Sequence, residues 1–217
     1  MKIHIITIFP ESFNSYFSSS IIWKAKDKWL FEIELYKLNN FSDNKFKRVD
    51  DKAYWMHWQV LSPKPLSKVI EYIFKKVDKK LPIIYMSPSW KLLNQEWVEG
   101  YYEKLKWEFI IICGHYEWID QRIIDLYVDY KISIWEYVLS SWELAASVFL
   151  DAFLRHIPWV LWNKTSLEED SFSKTFGRKK EYPIYTRPED FKWKKVPEIL
   201  LSGNHKKIQE WKNNNLS

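Results

Sequence analysis

Glycine is nearly missing from this chain, with 4 residues in 217, where ordinary proteins carry about 7%. An α/β fold uses glycine wherever φ is positive or two backbones touch, so a shortage this deep excludes a normal set of turns unless another residue stands in them. Cysteine is scarcer still. Cys113 alone allows no internal disulfide, which points to a reducing compartment and a cytoplasmic protein. Long apolar runs are absent too. MKIHIITIFPESF is broken at Pro10 and Glu11, and no stretch reaches ~20 uninterrupted apolar residues, so neither a signal peptide nor a membrane span is expected. Neither GxGxxG nor GxxxxGK[ST] occurs, even with Gly written for every Trp, which sets nucleotide hydrolysis aside. His4, His57, His115, His156 and His205 are scattered and never pair with Cys113 at metal-ligand spacing, so no zinc site is expected. Cys113 itself reads as a core thiol.

What is abundant is tryptophan, at 14 residues. A hydrophobic fraction of 47% supports a globular core, and 33 Lys+Arg against 28 Asp+Glu give a net charge of +5, which favours a polyanionic partner. Trp90 follows a strand-like run in LPIIYMSPSWK, and Trp118 sits in GHYEWID. Trp135 and Trp142 sit in SIWEYVLSSWE, while Trp159 and Trp162 flank an apolar pair in IPWVLWN. These are turn-like places where glycine is expected. An aromatic core or a base-stacking surface would place its rings at the strand or helix period, whereas these gather at element ends.

KIHIITIF (residues 2–9) and the alternating FEIELYKL (31–38) read as strands. Residues 66–77 place Leu66, Val69, Ile70, Ile73, Phe74 and Val77 at helical spacing with lysines opposite, an amphipathic helix on a sheet. LPIIYMSP, a helix to about Leu105, EFIIICG, a helix from about Glu117, the strand-like KISIWEYVLS and a strong helix over 143–156 follow. Alternation of strand and helix predicts an α/β fold with a mostly parallel sheet covered on both faces. After Pro158 the texture turns polar, so a boundary is expected there: a first domain over 1–160, a linker over 161–175 and a short C-terminal domain over 176–217.

In an open parallel sheet, ligands bind beyond the carboxyl ends of the strands. Three such ends stand out: Met86-Ser87-Pro88, Gly114-His115-Tyr116-Glu117, and Ser133-Ile134-Trp135-Glu136-Tyr137-Val138-Leu139. Their loops can offer backbone groups to one planar ligand. Arg155 closes a helix, and Glu168, Glu169 and Asp170 lie in a flexible stretch that reads equally as a solvated capping cluster.

IITIFPESF, RVDDKAY, IIYMSPSWK, IIICGHYEWIDQR, SIWEYVLSSWELAA, RHIPWVLWN, LEEDSF, YPIYTRPE and VPEILLSGNH occur in the order of one family. Through them nearly the whole chain resembles the bacterial tRNA (guanine-N1)-methyltransferases of the TrmD family, members of the knotted SPOUT class. The family pattern has glycine at Trp90, Trp118, Trp135, Trp142, Trp159 and Trp162, and also at Trp23, Trp29, Trp55, Trp58, Trp107 and Trp193, while Trp211 matches a family Trp. Counting Trp97, 13 of the 14 are suspect, and restoring them raises glycine from 4 to 17 in 217, close to the usual share of about 7%. The expectation is a gene in which UGA encodes glycine, translated with UGA as Trp; UGG codons at these sites would refute it.

The resemblance implies a deep trefoil knot, a homodimer, no membrane, and S-adenosylmethionine held by Met86, Ser87, Pro88, Gly114, Tyr116, Glu117, Ser133 to Leu139 and the Trp142 position. It implies Asp170 as base at guanine N1, Arg155 as donor to O6, and Mg²⁺ as an accessory ion with no dedicated ligands visible. The substrate it implies is the tRNA anticodon stem-loop, methylated at guanosine 37. Lys45, Lys47, Arg48, Lys174, Arg178, Lys179 and Lys180 are candidates for phosphate contacts, with a solvated charged face as the equal alternative. The C-terminal domain reads shorter than the family norm, and YWMHWQV departs from the family's glycine-rich loop. Another SPOUT RNA methyltransferase and an inactive RNA-binding relative remain the rival readings.

Overall fold

The computed structural model describes residues 1–55, 57–105, 107–115, 118–162 and 167–217. The chain divides into two compact units, Met1–Leu161 and Trp162–Ser217.

In the first unit, β1 (Lys2–Thr7), β2 (Glu32–Lys37), β5 (Ile83–Met86), β6 (Glu108–Ile112) and β8 (Tyr130–Ile132) form a five-stranded sheet of order β2-β1-β6-β5-β8. Every pairing in it is parallel. The central strands are apolar on both faces: Ile83, Ile84, Tyr85 and Met86 are all buried, as are Phe109 to Ile112, because helices cover both sides. One face packs under α1 (Ser20–Asp27), α3 (Gln95–Leu105) and α5 (Trp142–Leu154), whose Phe149, Leu150 and Phe153 are fully buried. The other packs under α2 (Pro63–Val77), through Leu66, Val69, Ile70 and Ile73, and α4 (Gln121–Tyr127), through Ile123 and Ile124. A second, three-stranded sheet joins β3 (Asp50–Lys52), β4 (Gln59–Leu61) and β7 (Trp118–Ile119). Its strands are too short to carry a period, which is why the sequence reading passed over them. Of KISIWEYVLS only Lys131 and Ile132 belong to β8 (Tyr130–Ile132), with Ser133 making an isolated parallel bridge to Leu92.

At the amino end of the sheet, His4 is buried between Tyr36 Oη (3.0 Å from Nδ1) and Glu108 Oε1 (3.0 Å from Nε2). Burial would push the Glu34 carboxyl up, but hydrogen bonds from Lys76, Lys2 and Tyr36 outweigh it and hold Glu34 at about 2.

The second unit carries a small hairpin, β9 (Asp190–Phe191) with β10 (Lys194–Lys195), and the helices α6 (Glu198–Leu201) and α7 (His205–Asn214). Trp211 packs its ring near Tyr182 (6.4 Å) and Tyr185 (6.3 Å). Lys180 and Ser217 exchange backbone hydrogen bonds of 2.6 and 3.2 Å.

Tryptophan does little of the packing. Eleven of the 14 are exposed, with Trp29 at 84%, Trp162 at 98% and Trp193 at 91%. Four of them adopt left-handed backbone: Trp29 (φ 58°), Trp55 (64°), Trp159 (74°) and Trp193 (65°). The two positive-φ glycines, Gly177 (62°) and Gly203 (67°), sit in the same range. Each turn demands that conformation. Trp29 follows the C-cap of α1, its N–H bonding Lys26 O at 2.9 Å while Leu30 N–H reaches Ala25 O at 3.1 Å, the paired closure whose left-handed residue is usually glycine. Trp159 follows Pro158 in a turn closed by Val160 N–H to Ile157 O at 3.2 Å, the third position of a type II turn. Lys192 (φ 51°) and Trp193 form the two-residue loop of the β9–β10 hairpin, with both φ values positive. Trp118, Trp135 and Trp142 are not in left-handed conformations, so a different demand operates on them.

Candidate functional site

The carboxyl ends of β5 and β8 diverge into loops that enclose a cavity of about 310 Å³. One wall is Met86, Ser87 and Pro88; the other is Ser133, Ile134, Trp135, Tyr137, Val138 and Leu139. Backbone bonds set the opening: Ser87 N–H donates to Ile132 O at 2.9 Å, and Leu93 N–H to Ser133 O at 2.7 Å. Ser133 Oγ closes back on Trp135 O at 3.0 Å, fixing the first turn of the second wall.

The floor is the start of α5, where Ser140, Ser141, Trp142 and Ala145 face the cavity. Ser141 is the N-cap, in extended backbone, its hydroxyl accepting from Leu144 N–H at 3.4 Å. Glu143, in the first turn, is 2% exposed. Its Oε1 accepts from Thr7 Oγ1 at 2.5 Å and its Oε2 from Ser141 Oγ at 3.0 Å. Burial, and then this nearby carboxylate, push the Cys113 thiol well up from its ordinary value, consistent with an inert core side chain.

The indoles crowd this site. Trp118, Trp135 and Trp142 all line it. Trp142 stacks on Tyr85 with ring centroids 5.4 Å apart and planes 20° from parallel. It also lies over Gly114 so closely that a Cβ added there would meet the indole at 3.1 Å. Side-chain volume therefore occupies the space against the backbone at the end of β6.

The structure thus gathers Met86, Ser87, Pro88, Ser133, Ile134, Trp135, Tyr137, Val138, Leu139 and Trp142 into one cavity. Gly114 lies behind Trp142, and Glu136 is exposed and off the lining. Tyr116 and Glu117 are outside the described residues. Arg155 follows α5 in the first unit, and Asp170 belongs to the second unit. Ile132, Ser140, Ser141 and Ala145 also line the cavity, and the sequence reading left them out. The serine pair before the α5 helix was the available signal, since an N-cap beside a strand-end loop faces whatever that loop binds. Among the described residues, no three or more His, Cys, Asp or Glu side chains gather as metal ligands, and no helix is long and apolar enough to cross a membrane.

Comparison with known proteins gives one consistent result. The chain is 45% identical over 214 residues to a tRNA (guanine-N(1)-)-methyltransferase of Clostridioides difficile, covering 98% of this chain and 90% of that protein. It is 43% identical over 213 residues to the protein of the same name from Protochlamydia amoebophila, covering 98% and 92%. The crystal structure of tRNA (m1G37) methyltransferase from Aquifex aeolicus superposes with a TM-score of 0.78 at 32% identity, over 98% of this chain and 88% of that one. The family model described as tRNA (Guanine-1)-methyltransferase TrmD matches residues 1–217, and with relatives this similar over nearly their full length the chain belongs to that family.

Proposed function

We propose that this chain transfers a methyl group from S-adenosylmethionine to N1 of the guanosine at tRNA position 37, using the cavity at the carboxyl end of its sheet as the donor site. The observation that carries the proposal is the convergence there of Met86, Ser87, Pro88 and the 133–139 segment, the residues that the family resemblance assigns to the donor. A volume of about 310 Å³ lies at the lower end of the ~300–1,000 Å³ typical of small-molecule pockets. Met86 and Pro88 on one side and Ile134, Val138 and Leu139 on the other would hold a flat base between apolar surfaces, with backbone groups of the second wall reading its edge.

Bound there, the donor supplies a methyl on a sulfonium centre. Neutral guanine N1 carries a proton and is a poor nucleophile, so attack needs a base at N1 and a donor to the negative charge growing on O6. Asp170 takes the N1 proton and Arg155 donates to O6. Alignment of the reacting atoms supplies much of the remaining acceleration. Mg²⁺ enters only through the resemblance, and no step here runs through it.

The knot belongs to the proposal as the family's way of threading the 133–142 segment. Leu144 (53% exposed) and Val148 (45%) leave an apolar strip on the outer face of α5, which supports the homodimer. Residues 162–217 carry 12 Lys and Arg against 8 Asp and Glu, +4 of the net +5, and include Lys174, Lys179 and Lys180, which are exposed; this supports tRNA binding by the second unit. Its substrate and its single buried thiol suit the cytoplasm.

The proposal includes glycine, encoded by UGA, at the suspect tryptophan positions. Exposure of most of the indoles, left-handed backbone at Trp29, Trp55, Trp159 and Trp193, and crowding by Trp118, Trp135 and Trp142 each support it. Codons read from the gene test it directly. For the chemistry, Asp170→Asn in the protein translated with UGA as glycine keeps donor binding and lowers turnover by about 10²–10⁴-fold. Unchanged turnover on a transcript with G37, or equal turnover with A37, would overturn the assignment.

A further inference from the structure

Glu143 is a buried carboxylate that the proposed chemistry does not use. It is 2% exposed and near the buried Cys113 thiol, and its hydrogen-bond partners are the Thr7 and Ser141 hydroxyls. Burying a carboxylate is costly unless its oxygens are hydrogen-bonded. Here the bonds join two passes of the chain, the end of β1 and the start of α5. Phe9 N–H donates to Thr7 Oγ1 at 2.9 Å, Thr7 Oγ1 donates to Glu143 Oε1 at 2.5 Å, and Ser141 Oγ donates to Oε2 at 3.0 Å. Thr7 is the last residue of β1, wholly buried, while Ser141 is both the α5 cap and a cavity residue. Phe9 also sets its ring edge-on to His115, in the loop that follows β6, at 4.9 Å.

We infer that Glu143 is a positioning residue for the methyl-donor site: it clamps the Ser140–Trp142 floor to the end of β1, so that the floor holds its shape before the donor arrives. This rests on the reading of the cavity as the donor site. The Thr7–Glu143–Ser141 run is a chain of donors ending on one carboxylate, and neither hydroxyl can replace the other's bond. Loss of the carboxylate frees Ser141 to rotate toward the cavity and detaches the floor from the sheet, at the point where the donor must meet backbone. The α5 backbone ladder and its buried Phe149, Leu150 and Phe153 do not involve the carboxylate, so the helix itself survives the change.

The test uses the full-length chain translated from its own gene with UGA as glycine. S-adenosylmethionine affinity is measured by calorimetry, and KM and kcat with tRNA transcript, for the parent, Glu143→Gln, Glu143→Ala, Thr7→Val and the Thr7→Val/Glu143→Ala pair. Donor affinity falls about tenfold in Glu143→Ala. The donor KM rises in parallel while kcat at saturating donor stays within about threefold, because the reacting groups are untouched. Thr7→Val loses less, the double variant loses no more than Glu143→Ala, and Glu143→Gln recovers part of the affinity through its one remaining acceptor. Donor affinity equal to the parent's in Thr7→Val and Glu143→Gln overturns the inference, whatever happens to melting temperature and even if Glu143→Ala fails to fold. Additive losses in the double variant overturn it too. A parent that binds no donor overturns the cavity reading itself, a result separate from all of these.

Discussion

Replacing Trp29, Trp55 and Trp159 together by glycine stabilises the first unit. Each residue holds φ between 58° and 74° in a separate turn, where a residue with a Cβ is strained. The strain is about 1–3 kcal/mol per site. Glycine gives back about 0.5–1 kcal/mol through the greater freedom of the unfolded chain. Little packing is lost, because the three indoles are 84%, 102% and 71% exposed. The net gain is about 1 kcal/mol per site and, for separated turns that share no partners, about 3 kcal/mol in all, a large share of a total stability of about 5–15 kcal/mol. With a slope of a few kcal/mol per molar, guanidinium unfolding followed by far-ultraviolet circular dichroism shows the midpoint raised by about 0.5–1 M. Trp211→Gly is the control. Its ring is half-buried between Tyr182 and Tyr185, so the same substitution there lowers the stability of the second unit. A triple variant no more stable than the parent would refute the reasoning, since it would mean that the left-handed indoles carry no strain.

Trp118→Gly, Trp135→Gly and Trp142→Gly combined enlarge the cavity, and calorimetry detects S-adenosylmethionine binding in this variant and not in the chain with all three indoles; equal affinity in both would mean the rings do not obstruct. Glu34, held at about 2 against an ordinary 4.5, contributes stability that is fully present above about pH 4.5 and is lost as pH falls toward 2. Glu34→Gln flattens that loss in acid unfolding curves, and an unchanged pH slope would count against the ion cluster. Lys174→Ala, Lys179→Ala and Lys180→Ala each reduce the salt dependence of tRNA affinity by about one unit of log–log slope if they meet phosphate. A solvated face leaves the slope as it was.

The sheet was legible because its strands are buried on both faces: runs such as IIYM and FIII have few other readings once helices with one apolar stripe alternate with them. β3, β4 and β7 were illegible for the opposite reason, each having too few residues to show a period. The cavity walls were legible as strand ends, since a parallel sheet leaves its loops nowhere else to converge. Its floor was not. Ser140, Ser141 and Ala145 look like the ordinary start of a helix, and only the approach of α5 to the carboxyl end of the sheet makes them cavity residues. Glu143 was invisible for a similar reason: a Glu in the first helical turn normally faces water, and its burial against Thr7 depends on a strand 136 residues earlier in the chain.

Two unrelated demands meet in the tryptophans. At Trp29, Trp159 and Trp193 the backbone angle strains a residue with a Cβ, and the site is exposed, so the indole itself collides with little. At Trp142 the angle is ordinary helix, yet the ring is pressed between Tyr85 and Gly114, where close packing rejects the side chain beyond Cβ. No aromatic function explains both groups, since a stacking surface would not select left-handed turns and a strained turn would not select the floor of a cavity. Glycine satisfies both, one through its freedom in φ and the other through its lack of volume. The recoding proposed above would give these sites their shared identity, and Trp211, which fits neither demand, has its ring half-buried near Tyr182 and Tyr185.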